Sequence, residues 1–130
     1  MNEPSTLRVL VVEDDADSAE TLAVLLRLHG HEVDVAPDGP TALRIAAQNP
    51  PDVALLDIGL PGGMDGWEVA RRLQEQAAGK TPLLIAITGY GQEEHRRRSK
   101  QAGIDLHLLK PVDPEELKKL LARFKTIIGE

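Results

Sequence analysis

Three carboxylates, a hydroxyl and an ammonium stand at the ends of aliphatic runs along this chain. Glu13 and Asp14 follow Leu7 to Val12, Asp57 follows Val53 to Leu56, Thr88 follows Leu83 to Ile87, and Lys110 follows Leu106 to Leu109. If these runs are parallel strands of one sheet, their C-terminal ends share an edge and the five groups converge there. Carboxylates a few Å apart repel by roughly 4 kcal/mol per pair at an effective dielectric of about 20, so such a cluster needs compensation. Lys110 offsets one charge and a hard divalent cation offsets the others. Mg²⁺, with Mn²⁺ as the alternative, suits the set because it binds through one or two carboxylates and leaves a position for a phosphate oxygen. Asp57 is the expected nucleophile, since a carboxylate attacking phosphorus gives an acyl phosphate. Thr88 would donate to the phosphoryl oxygens and Lys110 would pair with them.

The segments that must position these groups alternate between strand-like and helix-like five times. Leu7 to Val12 is a near-continuous aliphatic run of the kind buried on both faces of a sheet. Asp15 or Asp17 can cap the following helix, whose Ala19, Leu22, Ala23 and Leu26 recur at helical spacing until Gly30 ends it. Glu32 to Ala36 alternates polar and apolar residues, as an edge strand does. Asp38 opens a second helix that must stop near Asn49, because Pro50 and Pro51 cannot continue it. A third helix is expected from about Gly66 to Ala78. After Leu83 to Thr88 and the loop Gly89-Tyr90-Gly91, a short fourth helix ends near Gly103. Asp113 caps a fifth with Pro114 at its first position and an apolar stripe through Leu117, Leu120, Leu121, Phe124, Ile127 and Ile128.

Strand–helix repeats with short connections require a parallel sheet with right-handed crossovers. The expected fold is therefore α/β, a doubly wound five-stranded parallel sheet in the order 2-1-3-4-5, flavodoxin-like, with helices on both faces. In that order the ends of strands 1 and 3 face each other at the topological switch point, which brings Glu13, Asp14 and Asp57 together.

Composition narrows the function classes. The 130 residues are 42% hydrophobic and only 2% aromatic, which predicts one domain, 1–130, with an aliphatic core from about residue 7 to 128. The chain contains no cysteine, which excludes disulfides and zinc–thiolate sites. A formal net charge of −6 opposes direct nucleic-acid binding. No apolar run is long enough for a membrane span and no signal-peptide pattern opens the chain, so no membrane partner is expected and the location is read as cytoplasmic.

Each residue also has an ordinary role. Glu13-Asp14-Asp15 could cap a helix, Thr88 could be a β-branched strand residue, and Lys110 a surface cation. Arg96-Arg97-Arg98 with Lys100 reads as the solvated face of the fourth helix. His29 and His31 flank Gly30 in a surface turn at the sheet edge opposite the acids, with no function assigned. The convergence of Asp57 with the other acids, Thr88 and Lys110 is what raises the chemical reading above these.

The chain resembles the receiver domain of two-component response regulators, from Leu7 to the final helix. Val11-Val12-Glu13-Asp14-Asp15 is similar to the family's acidic pair, with Asp14 matching its principal metal-binding residue. Ala54-Leu55-Leu56-Asp57-Ile58-Gly59-Leu60-Pro61 matches the phosphoacceptor motif, Met64-Asp65-Gly66 continues it, and Thr88 and Lys110-Pro111 match the switch Thr and the Lys-Pro pair. The resemblance implies metal ligation by Asp14, Asp57, Glu13 and the backbone carbonyl of Gly59. It implies a sensor histidine kinase or histidine phosphotransfer protein as phosphoryl donor, and a stoichiometric acceptor rather than a turnover enzyme. It also implies output through helix 4, strand 5 and helix 5, by way of Thr88 and His107, with a phosphorylation-dependent homodimer as one form. Three positions depart from the pattern. Glu13 stands where Asp is common, Gly62-Gly63 lengthens the loop by one residue, and His107 replaces the usual Tyr or Phe of the rotating switch. Leu108 to Asp113 resembles receivers attached to hybrid histidine kinases more than those driving DNA-binding domains, and attachment to a longer hybrid kinase or regulator is one expectation. Trp67, just past the long loop, is expected to sense a bound cation.

Two rival functions use related chemistry. A nucleotide- or flavin-binding module of the same sheet order needs a glycine- or hydroxyl-rich phosphate loop after strand 1, where this chain carries Glu13-Asp14-Asp15-Ala16-Asp17. A Mg²⁺-dependent phosphatase with an Asp nucleophile would use two Asp residues spaced as in Asp15-Ala16-Asp17, which here lie past the strand.

Overall fold

The computed structural model describes the backbone of residues 6–60, 62–89 and 93–128, and the side chains of all of these except 93–96, 127 and 128. Pro61, Tyr90, Gly91, the Arg96 side chain and the Ile127 and Ile128 side chains, for which loop, basic-face and stripe roles were expected, lie outside it. Five strands, β1 (Arg8–Val12), β2 (Glu32–Ala36), β3 (Val53–Asp57), β4 (Leu83–Thr88) and β5 (Leu106–Leu109), alternate with α1 (Ala16–Leu28), α2 (Gly39–Gln48), α3 (Gly66–Gln76), α4 (Glu93–Gln101) and α5 (Pro114–Ile128). All pairings are parallel and the order is β2-β1-β3-β4-β5, as expected.

The two-residue period of the strands divides the interior into two cores. Val9, Val11, Val53, Leu55, Ile85 and Ile87 point to one face, where Leu22 and Leu26 of α1 and Leu117 and Leu121 of α5 cover them. Leu10, Val12, Ala54, Leu56, Leu84 and Ala86 point to the other, under Ala42 of α2, Trp67, Val69 and Leu73 of α3, and Ala102 and Ile104 beyond α4. Burial on both faces explains why β1 after Arg8 and β3 before Asp57 read as aliphatic runs. β2 departs from strict alternation: Val35 is exposed while Asp34 is half-buried, because Asp34 lies beside the guanidinium of Arg8 at 3.5 Å.

Helix boundaries follow their caps. Asp15 accepts from Ser18 N at 3.0 Å, Asp38 from Thr41 N at 2.8 Å, and Asp65 from Glu68 N at 3.0 Å. Of the two capping candidates for α1, Asp15 is the one used. At the end of α1, Gly30 N donates to Arg27 O and His31 N to Leu26 O, with Gly30 at φ +92°. This paired closure needs a left-handed residue, which glycine supplies at little cost. α4 ends the same way at Gly103, where φ is +85°. α3 stops at Gln76, two residues short of the expected Ala78. His31, expected in a surface turn, is instead buried.

Candidate phosphoryl-transfer site

The four acids and bases of the site arrive from three strand ends. β1 and β3 pair in register from Val9↔Val53 to Val12↔Leu56, so Glu13 and Asp57 leave adjacent strands at the same level. Oxygen atoms of Glu13, Asp14 and Asp57 all lie within 4.8 Å of one another. Glu13 and Asp57 are buried, whereas Asp14 faces solvent. Lys110, half-exposed after β5, places Nζ 3.5 Å from Asp57 Oδ2 and 3.9 Å from Glu13 Oε1.

The two buried carboxylates are further constrained by backbone. Gly59 N donates to Asp57 Oδ1 at 3.0 Å, and Asp15 N donates to Glu13 Oε2 at 3.1 Å. Asp57 therefore has one oxygen fixed by the loop and the other turned to Lys110. Burial raises the Glu13 carboxyl to about 7; the Asp15 N–H bond and Lys110 oppose the shift, while the nearby charge of Asp57 and a hydrogen bond with it add to it. The protein alone thus holds this acid partly protonated near neutrality, chiefly because it is buried, and a single lysine does not offset that burial and the neighbouring charge. Three hard oxygen donors with that unmet demand for positive charge make a donor set suited to Mg²⁺ or Mn²⁺.

Thr88 is buried at the end of β4, and its carbonyl accepts from Lys110 N at 2.8 Å. That bond fixes the start of the Lys110-Pro111 segment relative to Thr88. His107 pairs in register with Ala86 and is half-buried. Ala86 and Thr88 are two apart in β4, so Thr88 and His107 belong to the same face of the sheet. The structure thus brings Glu13, Asp14, Asp57 and Lys110 into one cluster, joins Thr88 to it through Lys110, and sets His107 one strand over. Gly59 enters through its N–H, which holds the Asp57 carboxylate.

The roles of two residues beside the site escaped the sequence reading. Asp65 caps α3 and also lies 3.7 Å from Arg98 of α4, whose guanidinium stacks over Trp67 at 3.9 Å. Ser99 is fully buried and accepts from Trp67 Nε1 at 2.9 Å. The basic run of α4 is therefore not only a solvated face. Nothing in its polar local pattern distinguished Ser99 as buried.

Comparison with known proteins agrees with this geometry. The family model described as the response regulator receiver domain matches residues 9–122. Protein PilH of Pseudomonas aeruginosa is 35% identical over 114 residues, which cover 88% of this chain and 93% of that protein. Response regulator PleD of Caulobacter vibrioides is 36% identical over 126 residues, 95% of this chain but only 28% of PleD. Among solved structures, the receiver domain of sensor histidine kinase PA1611 from P. aeruginosa is 30% identical with a TM-score of 0.83, covering 94% of this chain and 99% of that one. That structure has a magnesium ion coordinated in its active-site cleft. With the match to the family model extending over most of its length and the acids, Thr and Lys at the expected strand ends, this chain belongs to the response regulator receiver domain family.

Proposed function

We propose that Asp57 accepts a phosphoryl group from the phosphohistidine of a sensor histidine kinase or histidine phosphotransfer protein, as a stoichiometric acceptor within a single receiver domain. The observation that carries this is the division of labour at Asp57: Oδ1 is held by Gly59 N–H at 3.0 Å while Oδ2 lies 3.5 Å from Lys110 Nζ. An oxygen of the Asp57 carboxylate attacks phosphorus, the P–N bond of the donor breaks, and the imidazole leaves with the electron pair. The product is an acyl phosphate, one of whose oxygens Lys110 neutralises and another of which Thr88 can bond. Glu13, Asp14 and Asp57 would hold Mg²⁺, with the Gly59 carbonyl as a further ligand. The ion, when bound, supplies charge neutralisation for the phosphoryl oxygens.

Thr88 and His107 on a common sheet face support output through α4, β5 and α5, with dimerisation by that surface as one form of it. A phosphohistidine donor of this type supports a cytoplasmic location. Among the described residues no helix is long and apolar enough to cross a membrane. The acidic residues after β1 disfavour the nucleotide-binding alternative.

Incubation with acetyl phosphate and Mg²⁺, followed by intact-mass measurement, is expected to give one phosphoryl adduct that is absent in Asp57→Asn. A persistent single adduct in Asp57→Asn, with none lost, would overturn the assignment.

A further inference from the structure

α4 carries no apolar side chain from Glu93 to Gln101, and of its described side chains, those of residues 97–101, only Ser99 is buried. Ala102 and Ile104 reach the core after the helix has ended. A helix without an apolar stripe is not held by hydrophobic burial, so polar contacts must fix where it sits. Those contacts lead to α3. Trp67 Nε1 donates to Ser99 Oγ at 2.9 Å, the Arg98 guanidinium covers the same indole at 3.9 Å, and Arg98 lies 3.7 Å from Asp65. Two turns further along α3, Gln74 Nε2 donates to the Gly103 carbonyl at 2.8 Å, just past the end of α4. Trp67 and Gln74 stand at i and i+7, so one stripe of α3 grips α4 near both of its ends.

The start of α3 presses on Asp57 from its other side. Gly66, between Asp65 and Trp67, donates its N–H to the Ile58 carbonyl at 3.4 Å, and a Cβ on it would meet the Asp57 carbonyl oxygen at 2.7 Å. The segment that leaves the sheet at Asp57 is therefore closed at its base, where it returns to Ile58. Gly59, whose N–H holds Asp57 Oδ1 at 3.0 Å, lies within that closed segment. Packed backbone transmits a shift rather than absorbing it, so the setting of the Asp57 carboxylate depends on where Gly66 sits. The residues on either side of Gly66 are the two that α4 contacts, Asp65 through Arg98 and Trp67 through Ser99.

We infer that Trp67 and Ser99 are positioning residues for phosphoryl transfer: their hydrogen bond seats the start of α3 against Asp57 and Ile58 and, through Gly66 and Gly59, sets the Asp57 carboxylate for the cation and the phosphoryl group. This role rests on the reading of Asp57 as a cation-assisted phosphoacceptor. The route leaves Asp57 through the backbone of Ile58 and reaches α4 through an indole, using neither Thr88 nor His107. Coupling of two sites is reciprocal, so a partner that unseats α4 weakens the hold on the cation, and one that keeps α4 seated strengthens it.

The test compares the parent with Ser99→Ala, Trp67→Phe and the double variant. Val33→Ala, which shortens a buried side chain in the other core on the edge strand β2, is the control for lost stability alone. In the metal-free protein, proton–nitrogen correlation should show the Gly59 amide resonance moving in the same direction in both single variants and staying in place in the control. Mg²⁺ affinity, measured by calorimetry well below the melting temperature, should fall about threefold in Ser99→Ala, with about fivefold as the ceiling set by the net worth of one hydrogen bond. The double variant should bind Mg²⁺ no more weakly than Trp67→Phe alone, because the bond is already lost there. A Gly59 resonance unmoved in both single variants, Mg²⁺ affinity unchanged in both, losses that add in the double variant, or the same changes in Val33→Ala would each overturn the proposal. A parent that binds no Mg²⁺ and takes no phosphoryl group would overturn the phosphoacceptor reading instead, while the Gly59 shift in metal-free protein would still decide whether α4 positions the Asp57 carboxylate.

Discussion

The indole N–H of Trp67 donates to the buried hydroxyl of Ser99 at 2.9 Å, which ties α3 to α4 across the core. Arg98, the neighbour of Ser99, covers the ring at 3.9 Å and reaches Asp65 at the start of α3. The fluorescence of Trp67 therefore reports the seating of α4 as much as the loop beside the acids. Ser99→Ala should lower stability by about 1 kcal/mol, the net worth of one such hydrogen bond, and should shift the Trp67 emission. Arg98→Ala should cost about 0.5–1 kcal/mol through lost cation–π contact and leave the emission more sensitive to an external quencher. Denaturant melts followed at the tryptophan emission measure both, and unchanged spectra in Ser99→Ala would mean the link is not made in solution.

Gly66 shows how tightly the start of α3 is pressed against the end of β3, which carries Asp57. A Cβ there would fall 2.7 Å from the Asp57 carbonyl oxygen and 2.8 Å from Ile58 Cα, so backbone would have to move. Gly66→Ala should destabilise the fold by about 1–3 kcal/mol and slow acceptance of phosphate, because the displaced atoms belong to Asp57 and its neighbour. Gly63 in the lengthened loop has nothing within 4 Å of the same position and no positive φ. Gly63→Ala should therefore stay within about 0.5 kcal/mol of the parent. Thermal melts and acetyl phosphate labelling of the two variants would separate these effects.

The sheet order was legible because two features of the sequence agree: aliphatic runs buried on both faces, and an alternating second strand that suits an edge. The site was legible for a related reason, since parallel strands deliver their C-terminal residues to one edge regardless of packing detail. What stayed hidden depends on distance in three dimensions. Ser99 sits in a helix whose polar sequence suggests exposure, and only contact with Trp67, 32 residues away, makes it a buried partner. His31 read as a turn residue because a glycine precedes it, yet the closure at Gly30 folds the chain back and buries the ring. The protonation of Glu13 likewise follows from burial and from Asp57 across the strand gap, neither of which spacing reveals.

That protonation gives the metal-free protein a pH dependence of defined sign. The Glu13 carboxyl stands at about 7 in the folded state against an ordinary value near 4.5, so between these limits the folded chain binds a proton that the unfolded chain has released. Stability should fall as pH rises across that window and level off above it, by no more than about 1.4 kcal/mol per pH unit for one proton. Glu13→Gln should remove this component. Mg²⁺ should oppose it, because a cation stabilises the charged form. Urea denaturation from pH 5 to pH 8, with and without Mg²⁺, measures the slope. A parent slope no different from that of Glu13→Gln would show that Glu13 is ionised throughout.

Lys110 would compete with a bound divalent cation for the same carboxylates. With its Nζ 3.5 Å from Asp57 and 3.9 Å from Glu13, the ammonium already satisfies part of the negative charge that would attract the ion. Replacing it by a neutral side chain should tighten Mg²⁺ binding, by roughly threefold to tenfold for loss of one partly solvated charge at this distance. In the proposed reaction the same change removes the cation that would pair with the phosphoryl oxygens, so acceptance from acetyl phosphate should slow at saturating Mg²⁺. Lys110→Gln is thus expected to separate the two properties, with affinity for the ion rising as the rate of phosphorylation falls. Calorimetric titration with Mg²⁺ alongside time-resolved mass measurement of the adduct tests the pair. Weaker Mg²⁺ binding in Lys110→Gln would mean that the lysine positions the carboxylates more than it neutralises them.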